Sequence, residues 1–445
     1  MPDPTNTRLK YGLACCLIVA LAACLLTYLC AVGVLAWQST TQPAPPPTYP
    51  PPPTLFPALT PTPDDETTAR HLRIFTELWE IVRDDYLYPD YNGADWESIG
   101  QEYRARVEAG LGDEDFWIAM DEMLLELDDE HSIFLSPAAA QEEDRELAGE
   151  LEYVGIGVYT TVPWEIEKEY AVVLLVLPDS PAERAGLRPH DHILTVDGHP
   201  ACCDPFGYDY LDRLTGSEGS EVELQVRTPG QPSRTVTMTR TLIQGSLPVE
   251  ARLLEGNVGY ILIPTFWDET VVERVRQALE ELTAKGELAG LIIDNRVNPG
   301  GSDIVLKELL AFFTDGEVGR FVGSWGEEPV RVNGIDVGGS QHVRLAILVG
   351  RETASFAEVF SGVLQEAGRA GVVGRTTSGN VETTWSYDFE DGARAWIALE
   401  TFRPPSGTDW EETGIIPDVE IPLDWDEFTA EDDPQLEAAL DLLRQ

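Results

Sequence analysis

From residue 257 onward the chain repeats one pattern, a short apolar run rich in β-branched residues followed by an amphipathic stretch. "NVGYILI" precedes "DETVVERVRQALEELTAKG", "AGLIIDNR" precedes "SDIVLKELLAFF", and "VRLAILVG" precedes a helical run that opens at Ser355. Apolar runs without alternation suit strands buried on both faces, and a 3.6-residue periodicity suits helices laid over them. Repeated strand–helix units predict a mostly parallel sheet, with working loops at the carboxyl ends of its strands. Two of those loops matter, "NPGG" at 298–301 and "RETAS" at 351–355.

A serine at a strand-to-helix turn exposes its hydroxyl beside the positive end of a helix, where developing negative charge is stabilised. Serine is also a common N-cap, so Ser355 reads as either a cap or a nucleophile. As a nucleophile it needs a base within hydrogen-bond reach and donors for the oxyanion. Gly300 and Gly301 let backbone approach a substrate closely, and the amide of Phe356 sits at the helix start. "NPGG" on its own is equally an ordinary turn.

Residues 152–240 change character to short β-branched runs with turn signals. "YVGIGVYTTV" and "YAVVLLVLP" read as strands, "SPAERAGL" as a short helix and "HILTVDG" as a strand and turn. "PDSPAERAGLRPHDHILTVDG" resembles the bacterial PDZ pattern, with His190 where that family usually has glycine. The resemblance implies a groove beside the loop of Gly155, Ile156, Gly157 and Val158. Such a groove adds a peptide as an extra strand and holds its terminal carboxylate on backbone amides. Before this module, residues 64–137 carry apolar residues at helical spacing, as in "RHLRIFTELWEIVRDDYL".

The N-terminus is of another kind. Residues 11–37 contain no charged residue and are long enough to cross a bilayer as one helix. Arg8 and Lys10 precede this run and no basic residue follows until Arg70, which predicts a cytoplasmic N-terminus and a body outside the cytoplasm. "LAAC" at 21–24 is similar to a lipoprotein cleavage site with Cys24 as the lipidated residue, but the apolar run continues past it, which favours an uncleaved anchor. The proline-rich stretch 41–63 predicts a stiff spacer.

Charge narrows the partners. With 78 acidic against 30 basic residues the net charge is −48, which argues against nucleic acid or an anionic lipid surface. The same acidic, lysine-poor composition suits either high salt or a lineage bias. Four of the six cysteines lie in the apolar run, leaving Cys202 and Cys203 as two thiols or a vicinal disulfide. No cysteine or histidine spacing suggests zinc, so neither a metal site nor a cofactor is expected.

"LIIDNRVNPGGSD", "AILVGRETASFAEVFSGVLQEAGRAGVVGRTTSG" and "GIIPDVEI", preceded by the PDZ-like segment, resemble the carboxyl-terminal processing proteases. That serine peptidase superfamily includes the tricorn-like enzymes and the chlamydial secreted protease, and the resemblance spans residues 70–425. It implies an α/β fold: a crotonase-related αβ spiral with an inserted β-rich PDZ-like domain, an N-terminal helical segment and one transmembrane helix. The expected organisation is a cytoplasmic tail 1–10, a transmembrane helix 11–37, a linker 38–63, a helical segment 64–150, a PDZ-like domain 151–240 and a protease core 241–445. It also implies Ser355 as nucleophile, with the amides of Gly300 (or Gly301) and Phe356 as oxyanion hole.

The departure lies in the base. The processing proteases use a lysine 25 residues after the serine and a glutamine four further on, and these positions hold Asn380 and Thr384. The tricorn-like branch uses a histidine ahead of the PDZ-like region and a glutamate three residues before the glycine of the "GV.PD"-type motif. The matching residues are His131 in "LDDEHSIFL" and Glu411 in "EETGIIPD". The expectation is therefore a membrane-anchored extracytoplasmic serine endopeptidase with a Ser–His–Glu triad. Its partners would be proteins or peptides held through free C-termini, with the oligomeric state open. The rival expectation is an inactive peptide-binding scaffold of the same fold; a weaker third is a hydrolase of small esters or amides.

Overall fold

The computed structural model describes residues 65–129, 131–162, 168–202, 209–284 and 286–445. The apolar run 11–37, the spacer, Cys24 and Cys203 lie outside the described residues. Among the described residues no helix is long and apolar enough to cross a membrane. Cys202 is half of a disulfide.

The strand–helix repeat folds into a six-stranded sheet. Its order is Glu250–Leu254, Val258–Leu262, Gly290–Asp294, Leu345–Val349, Ala370–Gly374, Val419–Glu420. All pairings are parallel except the first, a hairpin. Because side chains alternate along a strand, the central strands bury two different faces. Ile261, Ile293, Ile347 and Val372 pack under the helices Val271–Thr283, Asp303–Phe313 and Phe356–Glu366. Ile292, Ala346, Leu348 and Val373 instead meet Ala439 and Leu443 of the last helix, together with Leu174 and Leu175 of the PDZ-like module.

A second, antiparallel sheet was not foreseen from the sequence. It runs Ile133–Leu135, Arg394–Arg403, Gly316–Gly323, Gly326–Val332, with Glu382–Asp388 also paired to Arg394–Arg403. The helices Asp65–Asp85 and Asp113–Leu125 bury Leu78, Phe116, Met120 and Met123 against its Ala395, Ile397 and Leu399. The N-terminal segment thereby shares a core with strands some 250 residues later in the chain.

The PDZ-like module has its own sheet and core. The run "YVGIGVYTTV" is not one strand. It breaks at Ile156–Gly157, where Gly157 takes φ +81°, into Leu151–Gly155, paired with Thr241–Gly245, and Val158–Thr161, an edge strand of the module. His190 has φ +74°, which accounts for glycine as the usual residue there. Its ring stacks on Trp425 at 3.9 Å and its Nδ1 lies 2.6 Å from the Trp425 carbonyl, so this turn docks the module onto the core. Burial pushes the imidazole down to about 4, so it is neutral at that interface.

One buried ion cluster fixes the carboxyl end of the strand Gly290–Asp294, from which the "NPGG" loop departs. Arg296 bonds Asp294 at 2.6 Å and Asp433 at 2.9 Å, and Trp425 lies under its guanidinium. Asp294 is 0% exposed, so removing its partner strands a charge without water. Arg296→Ala is expected to cost on the order of 3–5 kcal/mol of stability in urea denaturation. A loss under about 1 kcal/mol contradicts this role.

Candidate active site

Ser355 lies between the strand Leu345–Val349 and the helix Phe356–Glu366, with φ 52° and ψ −131°. A non-glycine residue in this region is strained and persists only where its surroundings hold it. The holding group is Glu358, 0% exposed. One of its carboxylate oxygens accepts from the amides of Ser355 (3.1 Å) and Asn380 (2.9 Å). The other accepts from the Gly379 amide (2.8 Å) and the Thr377 hydroxyl (2.5 Å). The Ser355 amide also reaches the Asn380 carbonyl at 2.7 Å. Glu358, reaching back to the Ser355 amide, thus ties the helix start to the segment 377–380.

The expected donors, the amides of Gly300 (or Gly301) and Phe356, are not equally available. A Cβ on Gly300, at φ +94°, would stand 2.7 Å from the Ser355 Cβ and 3.0 Å from the Phe356 nitrogen, so only glycine fits against this turn. The Gly300 amide itself donates to Asn298 Oδ1 at 2.9 Å, so offering it to an oxyanion means sharing or releasing that bond. Gly301 is pressed against the Phe266–Trp267 backbone, where a Cβ would come within 2.1 Å of the Trp267 nitrogen. Among the described residues the amides of Gly301 and Phe356 have no hydrogen-bond partner, and Phe356 also lies at the positive end of its helix.

His131 comes from the turn before Ile133–Leu135. Asp129 shapes that turn by accepting from the amides of His131 (2.8 Å) and Ser132 (2.6 Å). The His131 Nε2 lies 3.7 Å from Glu411 Oε1 and 3.4 Å from Glu382 Oε2. Burial lowers the affinity of this imidazole for a proton, but Glu411, Glu382 and Asp129 outweigh it and hold the pKa above the usual value. The second oxygen of Glu411 accepts from the amides of Val381 (2.8 Å) and Glu382 (3.1 Å). Glu412 is exposed and lines the same cavity, but among the described residues only Glu411 of this adjacent pair is within ion-pair range of the imidazole.

Glu382 was not singled out in the sequence, where it is one carboxylate among 78 acidic residues. It is buried, receives the Tyr88 hydroxyl on one oxygen, and leaves the other unbonded toward His131. Asn380 stands in the lysine position, and its backbone belongs to the Glu358 network. Thr384 pairs with Ala398 inside the second sheet. His131, Asn380, Glu382 and Glu411 line one open cavity of about 980 Å³. Among the described residues no hydrogen bond joins the Ser355 hydroxyl to His131; the segment 379–381 is bonded to Ser355 and Glu358 at one end and to Glu411 at the other.

The PDZ-like loop borders a second, more apolar cavity of about 540 Å³. Ile156, Val158, Leu211 and Leu214 line it from the module, and Trp267 and Pro299 line it from the core. Pro299 adjoins Gly300, so this groove ends beside the loop that packs on Ser355. The Ile156 and Gly157 carbonyls are used by Ala182 and Leu177, and the Gly157 amide faces the Tyr153 phenol. Gly155 is paired in the strand with Thr241.

A strained serine at a strand–helix turn, backed by a glycine loop on an α/β core, is an arrangement that suits a serine hydrolase. Residues 257–421 match the model of peptidase family S41, 68–124 that of the tricorn protease C1 domain and 172–228 that of a PDZ domain. The chain is 30% identical over 398 residues to a carboxyl-terminal-processing protease of Synechocystis, covering 86% of this chain and 89% of that one. It is 29% identical to the carboxy-terminal processing protease CtpB of Bacillus subtilis, over 68% of this chain and 62% of that one. The solved photosystem II D1 C-terminal processing protease superposes with a TM-score of 0.60 at 28% identity, covering 84% of this chain and 97% of that structure. The chain belongs to the carboxyl-terminal-processing serine proteases of peptidase family S41.

The Glu358 network carries a pH signature. Burial pushes this carboxyl up to about 7 against the pull of its four donors. A pKa raised in the folded state favours the protonated form, so its stabilising share is lost as pH rises through about 7. Glu358→Gln removes the titration. In thermal melts from about pH 5 to about pH 9, the stability margin of wild type over this variant is expected to shrink. A constant margin contradicts a raised carboxyl.

Proposed function

We propose that this serine peptidase is a membrane-anchored endopeptidase acting outside the cytoplasm. Ser355 is its nucleophile, His131 its general base and Glu411 the carboxylate that orients the imidazole. The observation that carries the reading is the convergence of His131 and Glu411 on the cavity reached through the segment bonded to Ser355. His131 accepts the serine proton and returns it to the leaving amine, while the Phe356 amide and a glycine-loop amide receive the oxyanion. In the conformation described the Nε2 faces both carboxylates. Proton transfer therefore needs the ring to turn or the segment 379–381 to shift, as catalytic contacts often tighten only around substrate.

Substrate recruitment runs through the PDZ-like groove. Val158–Thr161 is an edge strand able to pair with an extended peptide, and the apolar cavity beside it offers room for side chains. The anchor is the uncharged run 11–37, with the charge pattern around it setting the orientation. A second reading is a scaffold without catalysis, favoured by Asn380 and Thr384 and by the absence, among the described residues, of a bond between Ser355 and His131.

Turnover of one peptide substrate separates the two readings. Ser355→Ala is expected to abolish hydrolysis. Glu411→Gln should lower kcat by up to about 10⁴-fold, and Glu412→Gln should be nearly silent. Full hydrolysis by Ser355→Ala overturns the nucleophile, and equal effects at the two glutamates overturn the orienting role. For the groove, amidating a peptide's C-terminus is expected to weaken binding about tenfold or more, the loss of roughly one charge-assisted contact. Equal binding of free and amidated peptides contradicts carboxylate capture. Protease added outside intact cells should remove the chain beyond the spacer and spare residues 1–10; full protection contradicts the orientation.

A further inference from the structure

Three side chains from separate segments place one donor atom each around a common point. His131 Nε2, Glu382 Oε2 and Glu411 Oε1 all lie within 4.8 Å of one another. The two pairs involving the imidazole are 3.4 and 3.7 Å apart. A tetrahedral zinc ion with bonds of about 2.0–2.1 Å requires ligand atoms about 3.3 Å apart, so the imidazole pairs are already close to that spacing and the two glutamate oxygens, within 4.8 Å of each other, would turn inward on binding.

The remaining atoms of the two carboxylates are already anchored. Glu382 Oε1 is held by the Tyr88 hydroxyl, and Glu411 Oε2 by two backbone amides. Such partners fix ligands in metal sites. Glu382 is 6% exposed, yet its Oε2 has no hydrogen bond and points at the imidazole. A buried carboxylate oxygen left without a donor is costly, and a divalent cation would satisfy it. Two carboxylates also balance the charge of one such ion, the fourth position opens to the large cavity, and a net charge of −48 concentrates cations around the protein.

We propose that His131, Glu382 and Glu411 form an inhibitory binding site for a divalent transition-metal ion of the zinc class. The ion takes the imidazole lone pair that would otherwise accept a proton, and so switches off the base. Binding rests only on the three side chains; inhibition rests on the proposed role of His131. Zinc-ligand spacing was absent from the sequence because the ligands come from three separate segments, a turn, a strand and a loop, that only the second sheet assembles.

Cobalt(II) chloride titrated into the full chain in detergent tests the binding, in the Ser355→Ala background so that peptidase activity plays no part. A visible absorption band of four-coordinate cobalt, saturating at one ion per chain, is expected. Glu382→Gln should weaken the apparent affinity about tenfold or more, the range for loss of a ligand or its support. His131→Ala should abolish the band, while Glu221→Gln, on an exposed residue of the PDZ-like module that does not line the cavity, should leave it unchanged. No band, or one that survives in both His131→Ala and Glu382→Gln, overturns the site and assigns any binding to the acidic surface. In active wild type, zinc chloride should block peptide hydrolysis and a chelator should restore it. Cobalt binding without any peptidase activity counts against the triad while the site stands; activity indifferent to zinc overturns the inhibitory role.

Discussion

The buried carboxylate of Glu358 is the interaction on which the site depends. Its four donors come from both sides of the prospective reaction centre, the strained Ser355 on one side and Thr377, Gly379 and Asn380 on the other. Left-handed backbone at a serine costs on the order of 1–3 kcal/mol, and a fully satisfied buried acceptor is a physical means of holding it. The same four bonds set where Val381 and Glu382 begin, and their amides in turn hold Glu411. The Ser355 turn and Glu411, the carboxylate beside His131, are thereby parts of one hydrogen-bonded chain. The segment 377–381 is thus bonded at one end to Glu358 and Ser355 and at the other to Glu411.

The second sheet supplies the histidine. Ile133–Leu135 pairs with Arg394–Arg403, and the Ser132 hydroxyl accepts from the Ala398 amide at 3.1 Å, so His131 is fixed by a strand from the far end of the chain. Helices packed on that sheet make the arrangement rigid. The PDZ-like module is fastened separately, through His190 and His192 on the backbone of Trp425 and Asp426. Its groove ends at Pro299, next to the glycine that packs on Ser355, so the groove and the Ser355 turn adjoin one loop.

The parallel sheet was legible in the sequence because its strands are buried on both faces and therefore lack alternation, while its helices are strongly amphipathic. The "SPAERAGL" helix was legible too: Ser180 caps it by accepting from the Glu183 amide at 3.1 Å, a local bond written in adjacent residues. The antiparallel sheet was not, because the pairing of Ile133–Leu135 with Arg394–Arg403 is set by tertiary contact rather than by any local pattern. At the site, Ser355 and Phe356 are neighbours in one strand–loop–helix unit and Gly300 lies in the loop of the unit before it, so each can be read locally. His131 and Glu411 came only from motif resemblance, and the structure brings their side chains to 3.7 Å. Glu382 had no signal at all, since a single acidic residue in a strand of an acidic chain looks like solvated charge until Tyr88 and His131 are folded around it. The Asn298 bond to the Gly300 amide was likewise invisible, because it depends on the loop's actual path.

The central claim is that Ser355 is activated by His131, with Asn380 at the position where the motif resemblance implies a lysine. Covalent labelling with a fluorophosphonate, with the modified peptide located by mass spectrometry, tests it directly. Wild type is predicted to carry the label on Ser355, and His131→Ala to label more slowly by on the order of 10²-fold or more. No label on Ser355, or a labelling rate unchanged without His131, contradicts the account.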